Sequence, residues 1–374
     1  MISYVIPTRD RPERLAMTIA SIDALGPHDA EVVIVDNASA TPVGAVRTLA
    51  SGVPVRVVRL DRNRGAAGRN DGAQASDPRS QWLVMLDDDS APTDPGLEQR
   101  LARVPDDVLA VSADIRLPHM GKREDGGLPE VFVGCGVAVR RWAFLAAGGY
   151  DETFHYYAEE YDLAARLLLA GGRVVFDPGF RVEHWKDLKH RDLGLICQRL
   201  VRNNGWIAQR YAPDEWRRGE LREVRRRYRG MGEREGVLRA FGLGLRELRM
   251  TLPAQRRTPM TERMWRRFIG LDAAVQALAA QGAGTRWRSA AVVDTGKNAW
   301  VVGAALAELG VREATLREGE ALVIGTMSPG PMIDARLRRS DTGAMVGDGR
   351  PVAVPWLAAL DERLVPVEGA AISR

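Results

Sequence analysis

"WLVMLDDDSAP", residues 82–92, sets an apolar run, Trp82 to Leu86, directly against three consecutive carboxylates, Asp87, Asp88 and Asp89. A short continuous apolar run ending in a polar turn reads as a strand buried on both faces. Adjacent carboxylates repel one another, so either water compensates them, in an ordinary acidic turn, or a divalent cation does. Two carboxylates spaced two residues apart at a strand end can reach one hard cation. Mg²⁺ and Mn²⁺ take such oxygen ligands and share their remaining positions between water and substrate phosphates.

The same pattern repeats outward from this stretch. "SYVIPT" (3–8), "EVVIVD" (31–36), "VRVVRL" (55–60) and "VLAVSA" (108–113) are strand-like, and "RPERLAMTIASIDAL", "PVGAVRTLAS" and "GAAGRNDGAQAS" between them read as helices. Val/Ile/Leu runs separated by helices predict an α/β fold with a mostly parallel sheet covered on both faces. Ligands of such sheets collect at the carboxyl ends of the strands. Those ends read Thr8-Arg9-Asp10, Asp36-Asn37, Asp61-Arg62-Asn63 and Asp87-Asp88-Asp89, a polar rim. "NRGAAGRNDG" (63–72) puts Gly65 and Gly68 ahead of a helix with Arg69 and Asn70 in its first turn. That suits a phosphate-bearing ligand, or simply a Gly-rich turn with a solvated arginine.

Further on, 116–133 reads as a loop, "VGCGVAVRR" (133–141) as a strand leading into the helix "WAFLAAGG", and "AEEYDLAARLLLAGG" (158–172) as a helix stopped by Gly171-Gly172. A strand "RVVFDP" and the segment "FRVEHW" follow. The chain of 374 residues is long for one domain, and three units are expected: 1–212, a basic helical segment 213–285, and a small Rossmann-like α/β unit 286–374. In that last unit a dinucleotide site would want G-x-G-x-x-G, and of "DTGKNA" only Gly296 fits, so a structural, dimerising or acceptor-shaping role is expected.

Six stretches carry a resemblance. "YVIPTRDRPERL", "VIVDNAS", "NRGAAGRNDG", "WLVMLDDDSAP", "GGYDETFHYYAEEYDLAARLLLAGGRVVF" and "VEHW" resemble, in that order, the motif series of family 2 glycosyltransferases of the GT-A fold, over about residues 1–190. The resemblance implies an inverting, metal-dependent transfer of a sugar from a nucleoside diphosphate donor to an acceptor hydroxyl by a single in-line displacement. It places Pro7, Thr8, Arg9 and Asp36 around the base and ribose, Arg69 on the nucleotide sugar, and Asp87 and Asp89 in the D-x-D, with Asp89 the direct ligand of Mn²⁺ or Mg²⁺. Asp88 would face ribose or sugar hydroxyls, and His184 would complete the metal shell or serve as a structural imidazole. The family's Glu-Asp pair is here Glu159-Glu160, with Glu160 as the implied base, and Asp162 either caps the helix or meets the acceptor. The Gly134-Cys135-Gly136 loop would abut donor and acceptor, and aromatic residues from Tyr150 to Tyr157 could stack on acceptor sugars or pack in the core. Two other readings stand beside this one. One is an idle nucleotide-sugar-binding partner subunit, for which the Glu160 departure leaves room. The other is a nucleotidyltransferase, for which "PTRDRPERL" is a poor signature.

Composition narrows the setting. Cys135 and Cys197 are too few for a disulfide framework and read as buried thiols. No leader and no uncharged apolar run of about 18 residues is visible, so a cytoplasmic protein is expected. Between Asp214 and Arg267 sixteen arginines meet eight acidic residues, although the whole chain carries only +4. The acidic residues interleave with the arginines, which predicts a solvated, salt-bridged helix, with peripheral contact to an inner membrane face as the alternative. No nucleic-acid motif accompanies the charge. The acceptor is a saccharide, a lipid-linked sugar or a natural product, and a homo-oligomer is among the expectations.

Overall fold

The computed structural model describes residues 1–44, 47–186, 192–341 and 350–356. Nine strands form the first sheet among these residues: β1 (Ile2–Thr8), β2 (Ala30–Asp36), β3 (Val55–Arg59), β4 (Trp82–Met85), β5 (Ser90–Pro92), β6 (Val108–Leu117), β7 (Lys122–Arg123), β8 (Val137–Arg140) and β9 (Arg173–His184). Their order is β3-β2-β1-β4-β8-β6-β9-β5, with β7 beside β6. β1 to β4 run parallel, β8 is antiparallel to both neighbours, and β6 pairs parallel with β9. The register sets Thr8 beside Asp36 and Asp36 beside Arg59, which forms the carboxyl rim. At the far edge Ser90 pairs with His184, so β9 delivers its last residue beside the acidic triplet.

Both faces are apolar because both are covered. Val5, Val35 and Met85 face one core, and Tyr4, Ile6, Ile34 and Val84 face a second. The first core continues through Phe154, Leu163, Trp206, Trp265 and Phe268 to Val301, Val323 and Met327 of the tail. The tail carries a second, four-stranded parallel sheet, β11-β10-β12-β13, with β10 at Ser289–Val293, β11 at Arg312–Glu313, β12 at Ala321–Ile324 and β13 at Val352–Ala353. The part of "GRPVAVPWLAAL" beyond Trp356 lies outside the described residues.

Three local expectations change. No helix forms among the described residues of 42–51; instead Thr48 bridges Pro54, and Asp36 draws in the Val43 N–H. Gly134-Cys135-Gly136 is a turn ahead of β8, not strand. "RVVFDP" and "FRVEHW" join into one long strand, β9, with register shifts against β6. The basic stretch folds as several helices, of which Asp214–Arg234 is buried at Val224 and Tyr228 and laced on its exposed side by Arg226–Glu223 and Arg229–Glu233 pairs.

Candidate active site

The triplet is held from below before any ligand is considered. The Asp87 N–H donates to Ser90 Oγ at 2.9 Å, and Thr18 Oγ1 donates to the Asp88 carbonyl at 2.9 Å. The Trp185 N–H donates to the Asp89 carbonyl at 2.8 Å, which ties β9 to the turn. Thr8 Oγ1 donates to Asp88 Oδ2 at 2.8 Å, so one expected ribose-side residue serves the triplet itself.

Each carboxylate then has its own environment. Asp88 and Asp89 are buried, and one guanidinium bridges them, with Arg11 Nη1 at 2.6 Å from Asp88 and Nη2 at 2.6 Å from Asp89. Burial, aided by repulsion from Asp87 and Asp89, pushes the Asp88 carboxyl up to about 6 against the pull of Arg11 and Thr8. Burial acts on Asp89 too, but His184 and Arg11 outweigh it and hold Asp89 below the usual carboxylate range. Asp87 is the more exposed member and pairs with Arg69, whose guanidinium also donates to the Leu86 carbonyl at 3.1 Å. Arg69 is buried in the helix Gly68–Ala75. Gly65, just before it, has a positive φ of 61°, and a Cβ there would strike the His155 carbonyl, so this turn needs glycine.

His184 lies between three groups. Its Nε2 is 3.3 Å from Asp89 Oδ1, and its Nδ1 is 3.4 Å from Cys135 Sγ and 3.3 Å from Glu124 Oε2. Lys186 Nζ donates to both Glu124 oxygens at 2.9 Å. Burial opposes charge on the imidazole, yet Cys135, Asp89 and Glu124 together favour its protonated form far above the ordinary range. Asp87, Cys135 and His184 each bring one ligating atom within 4.8 Å of the others, so carboxylate, thiol and imidazole converge on one point. This donor set fits a divalent cation.

Opposite stands the acidic pair at the start of the helix Glu159–Leu169. Glu160 Oε1 accepts from the Gly134 N–H at 3.3 Å. A Cβ on Gly134 would lie 3.4 Å from Glu160 Oε1 and 3.8 Å from the Arg69 guanidinium, so Glu160 and Arg69 face the same turn. Glu159 is buried, with Oε2 lacking any hydrogen-bond partner. Burial raises both carboxyls, and the charge of Glu160 raises Glu159 further, well above the ordinary value. The two carboxyls titrate as a coupled pair, with Glu159 raised the further.

Two expected residues take other roles. Asp162 is fully buried, and its carboxylate accepts from Arg166 Nε at 2.9 Å, Arg210 Nη1 at 2.8 Å and the Tyr211 hydroxyl at 2.6 Å. Asp162, expected either to cap its helix or to meet the acceptor, has its oxygens taken up by these donors and fastens its helix to the helix Leu193–Tyr211. Asp36 is buried and taken up by the Ser39 and Val43 N–H groups and by Arg59 at 2.5 Å, so it shapes the rim loop. Pro7 is half-buried in β1, and Arg9 is exposed, 3.6 Å from Asp10. Arg11, Glu124 and Lys186 were not foreseen as site residues, and Cys135 only as part of the loop expected beside donor and acceptor. Arg11 sits in the quoted "PTRDRPERL", but only its place directly ahead of the helix Pro12–Asp23 turns it toward the triplet. A cavity of about 570 Å³ lies elsewhere, lined by Glu130, Phe176, Arg263, Arg267, Gln276 and Trp356, and holds none of the expected site residues.

Comparison with known proteins follows the same half of the chain. Residues 3–155 match the model of Glycosyl transferase family 2. The pre-mycofactocin glycosyltransferase of Mycobacterium tuberculosis is 28% identical over 214 residues, 51% of this chain and 44% of that protein. The succinoglycan biosynthesis protein ExoO of Rhizobium meliloti is 27% identical over 205 residues, 47% of this chain and 58% of that protein. The chain thus spans about half the length of the curated relatives it matches. Among solved structures, a mannosyltransferase from Pyrobaculum calidifontis in complex with GDP-Man and Mn²⁺ is 15% identical, covering 82% of this chain and 85% of that one at a TM-score of 0.45. S. aureus TarS 1–349 in complex with UDP-GlcNAc is 13% identical, covering 68% and 83% at a TM-score of 0.48. The family match falls on the strands and turns that build the rim, from β1 through the acidic triplet to the edge of the Glu159-Glu160 helix. On that match residues 3–155 of this chain are similar to glycosyltransferase family 2, a likeness that covers less than half of the 374 residues.

Proposed function

We propose that the chain moves a sugar from a nucleoside diphosphate donor to an acceptor hydroxyl, with inversion, at the rim between the acidic triplet and Glu160. The observation that carries this reading is the half-buried Glu160 carboxylate, which shares the Gly134 turn with Arg69, the partner of Asp87. Asp89, Asp87 and His184 would hold a divalent cation, Mn²⁺ or Mg²⁺. When bound it supplies charge neutralisation at the departing diphosphate. Arg69, buried and fixed at the Leu86 carbonyl, is placed to orient the donor. Glu160 takes the proton of the attacking hydroxyl. The new bond forms between that oxygen and the anomeric carbon while the bond from that carbon to the diphosphate oxygen breaks, and its electron pair leaves with the phosphate. Glu159, neutral behind it, keeps a second negative charge out of the acceptor's path.

Asp89 below its ordinary value is available as an anion throughout the neutral range. None of the described helices is long and apolar enough to cross a membrane. A direct test is to incubate the purified protein with Mn²⁺ and a panel of UDP-, dTDP- and GDP-sugars. Slow hydrolysis of one donor that disappears in Asp89→Ala is expected. Donor binding with no turnover across many acceptors would replace this reading with the idle partner subunit.

A further inference from the structure

Glycosyl transfer as proposed gives no task to a thiol, yet the Cys135 thiol is buried beside the triplet. Asp87 comes from the end of β4, Cys135 from the turn before β8 and His184 from the end of β9, and their ligating atoms lie within 4.8 Å of one another. The turn that presents the sulfur is fixed on both sides: Ser90 Oγ donates to the Cys135 carbonyl at 2.9 Å, and the Gly136 N–H donates to the Val133 carbonyl at 3.1 Å. The spacing also suits a shared ion. Bond lengths of about 2.3 Å to sulfur and 2.0–2.1 Å to nitrogen at a tetrahedral angle put the two donor atoms about 3.6 Å apart. Cys135 Sγ and His184 Nδ1 are 3.4 Å apart.

We propose that Cys135 is a thiolate ligand of the divalent cation at this rim, beside Asp87 and His184, and that it turns the site toward Zn²⁺ and Co²⁺ and away from Mg²⁺. The proposal rests on the metal-dependent reading above. Mg²⁺ demands oxygen donors in near-ideal octahedral geometry, and a sulfur position is lost to it. Later first-row cations accept mixed sulfur, nitrogen and oxygen sets. On loading, the thiol proton leaves to solvent as the metal–sulfur bond forms.

The test is titration of the purified full chain with Co²⁺, followed by near-ultraviolet absorption, where sulfur-to-cobalt charge transfer is seen. A band saturating at one equivalent is expected. It should vanish in Cys135→Ser and persist in Cys197→Ser, whose thiol packs among Val201, Val224 and Tyr228. Zn²⁺ affinity of Cys135→Ser should fall by more than the ~10–100-fold typical of losing an outer partner, with Mg²⁺ affinity little changed. A measurement free of any variant is X-ray absorption of the Zn²⁺-loaded protein, which should show one sulfur scatterer near ~2.3 Å. Bound Co²⁺ without the band, and bound Zn²⁺ without the sulfur shell, would overturn the thiolate and leave the metal-dependent reading standing. Failure to bind any divalent cation, with or without donor, would remove both.

Discussion

Replacing Glu160 by glutamine separates the two members of the acidic pair. Glutamine keeps the volume, and its carbonyl oxygen can still accept from the Gly134 N–H, now 3.3 Å from Glu160 Oε1, so the turn keeps its support. What is lost is the capacity to take a proton. General-base help is worth about 10²–10⁴-fold, or about 2.7–5.5 kcal/mol of barrier at 1.36 kcal/mol per decade. Transfer by Glu160→Gln should fall by that factor while donor affinity, measured by calorimetry, changes less than about threefold. Glu159→Gln makes the opposite case. Glu159 is buried with an unpartnered oxygen and raised well above its ordinary value, so the neutral amide imitates its protonated form. That variant should stay within about tenfold of the parent chain. The rate profile adds a second reading. Burial raises Glu160, so the acid limb should lie above the ordinary glutamate range: activity falls as pH drops through the folded value and the base becomes protonated. Glu159→Gln should keep that limb in place. Glu160→Gln retaining more than about a tenth of the rate, or Glu159→Gln losing as much as Glu160→Gln, would refute the assignment.

Asp162→Ala should destabilise the fold by about 3–5 kcal/mol, because Arg166 and Arg210 lose a fully buried carboxylate that both of them share. A urea midpoint corresponding to less than about 1 kcal/mol would show that the helix junction does not depend on it. Arg11→Gln should tighten Mn²⁺ binding by up to about fivefold, since removing an ion pair whose arginine is 38% exposed frees Asp89 at a cost near the ~1 kcal/mol typical of such pairs. Weaker binding in isothermal titration would mean that Arg11 prepares the site rather than competing for it.

The rim was legible because its parts are local. The apolar run of β4 and the three aspartates are adjacent in sequence, and the period of the flanking strands fixes that they share an edge with Thr8 and Asp36. The helix that begins with Glu159-Glu160 was legible from its spacing, but the pair itself was singled out only by the resemblance. What escaped depends on contacts made far along the chain. Asp162 cannot be told from a solvent-facing acid without knowing that Arg210 and Tyr211, about 49 positions on, close over it. Cys135 read as an ordinary buried thiol because the pairing of Ser90 with His184, which brings the imidazole to it, joins strands 94 residues apart. The described residues of 42–51 form no helix for a different reason: Asp36 captures the Val43 N–H, so a side chain overrides local propensity.

The second sheet connects to this chemistry through one loop. Asn298, buried and in the left-handed region at φ 61°, donates to the Gly127 carbonyl at 2.7 Å and accepts from Arg227 at 2.6 Å. Lys297 Nζ donates to the Asp125 carbonyl at 2.7 Å, and Arg123 pairs with Asp334 at 2.5 Å. Lys297 and Asn298 occupy the turn after β10, where a Rossmann-like unit would cradle a phosphate, and Gly296 there packs against Thr326. The turn is therefore spent on protein contacts. The loop it grips carries Glu124, which holds His184, and runs on to Gly134, which holds Glu160. Through this loop the tail reaches the residues that contact His184 and Glu160. A buried amide stripped of its partners costs about 1–3 kcal/mol, which is the scale of the tail's grip on this loop through Asn298.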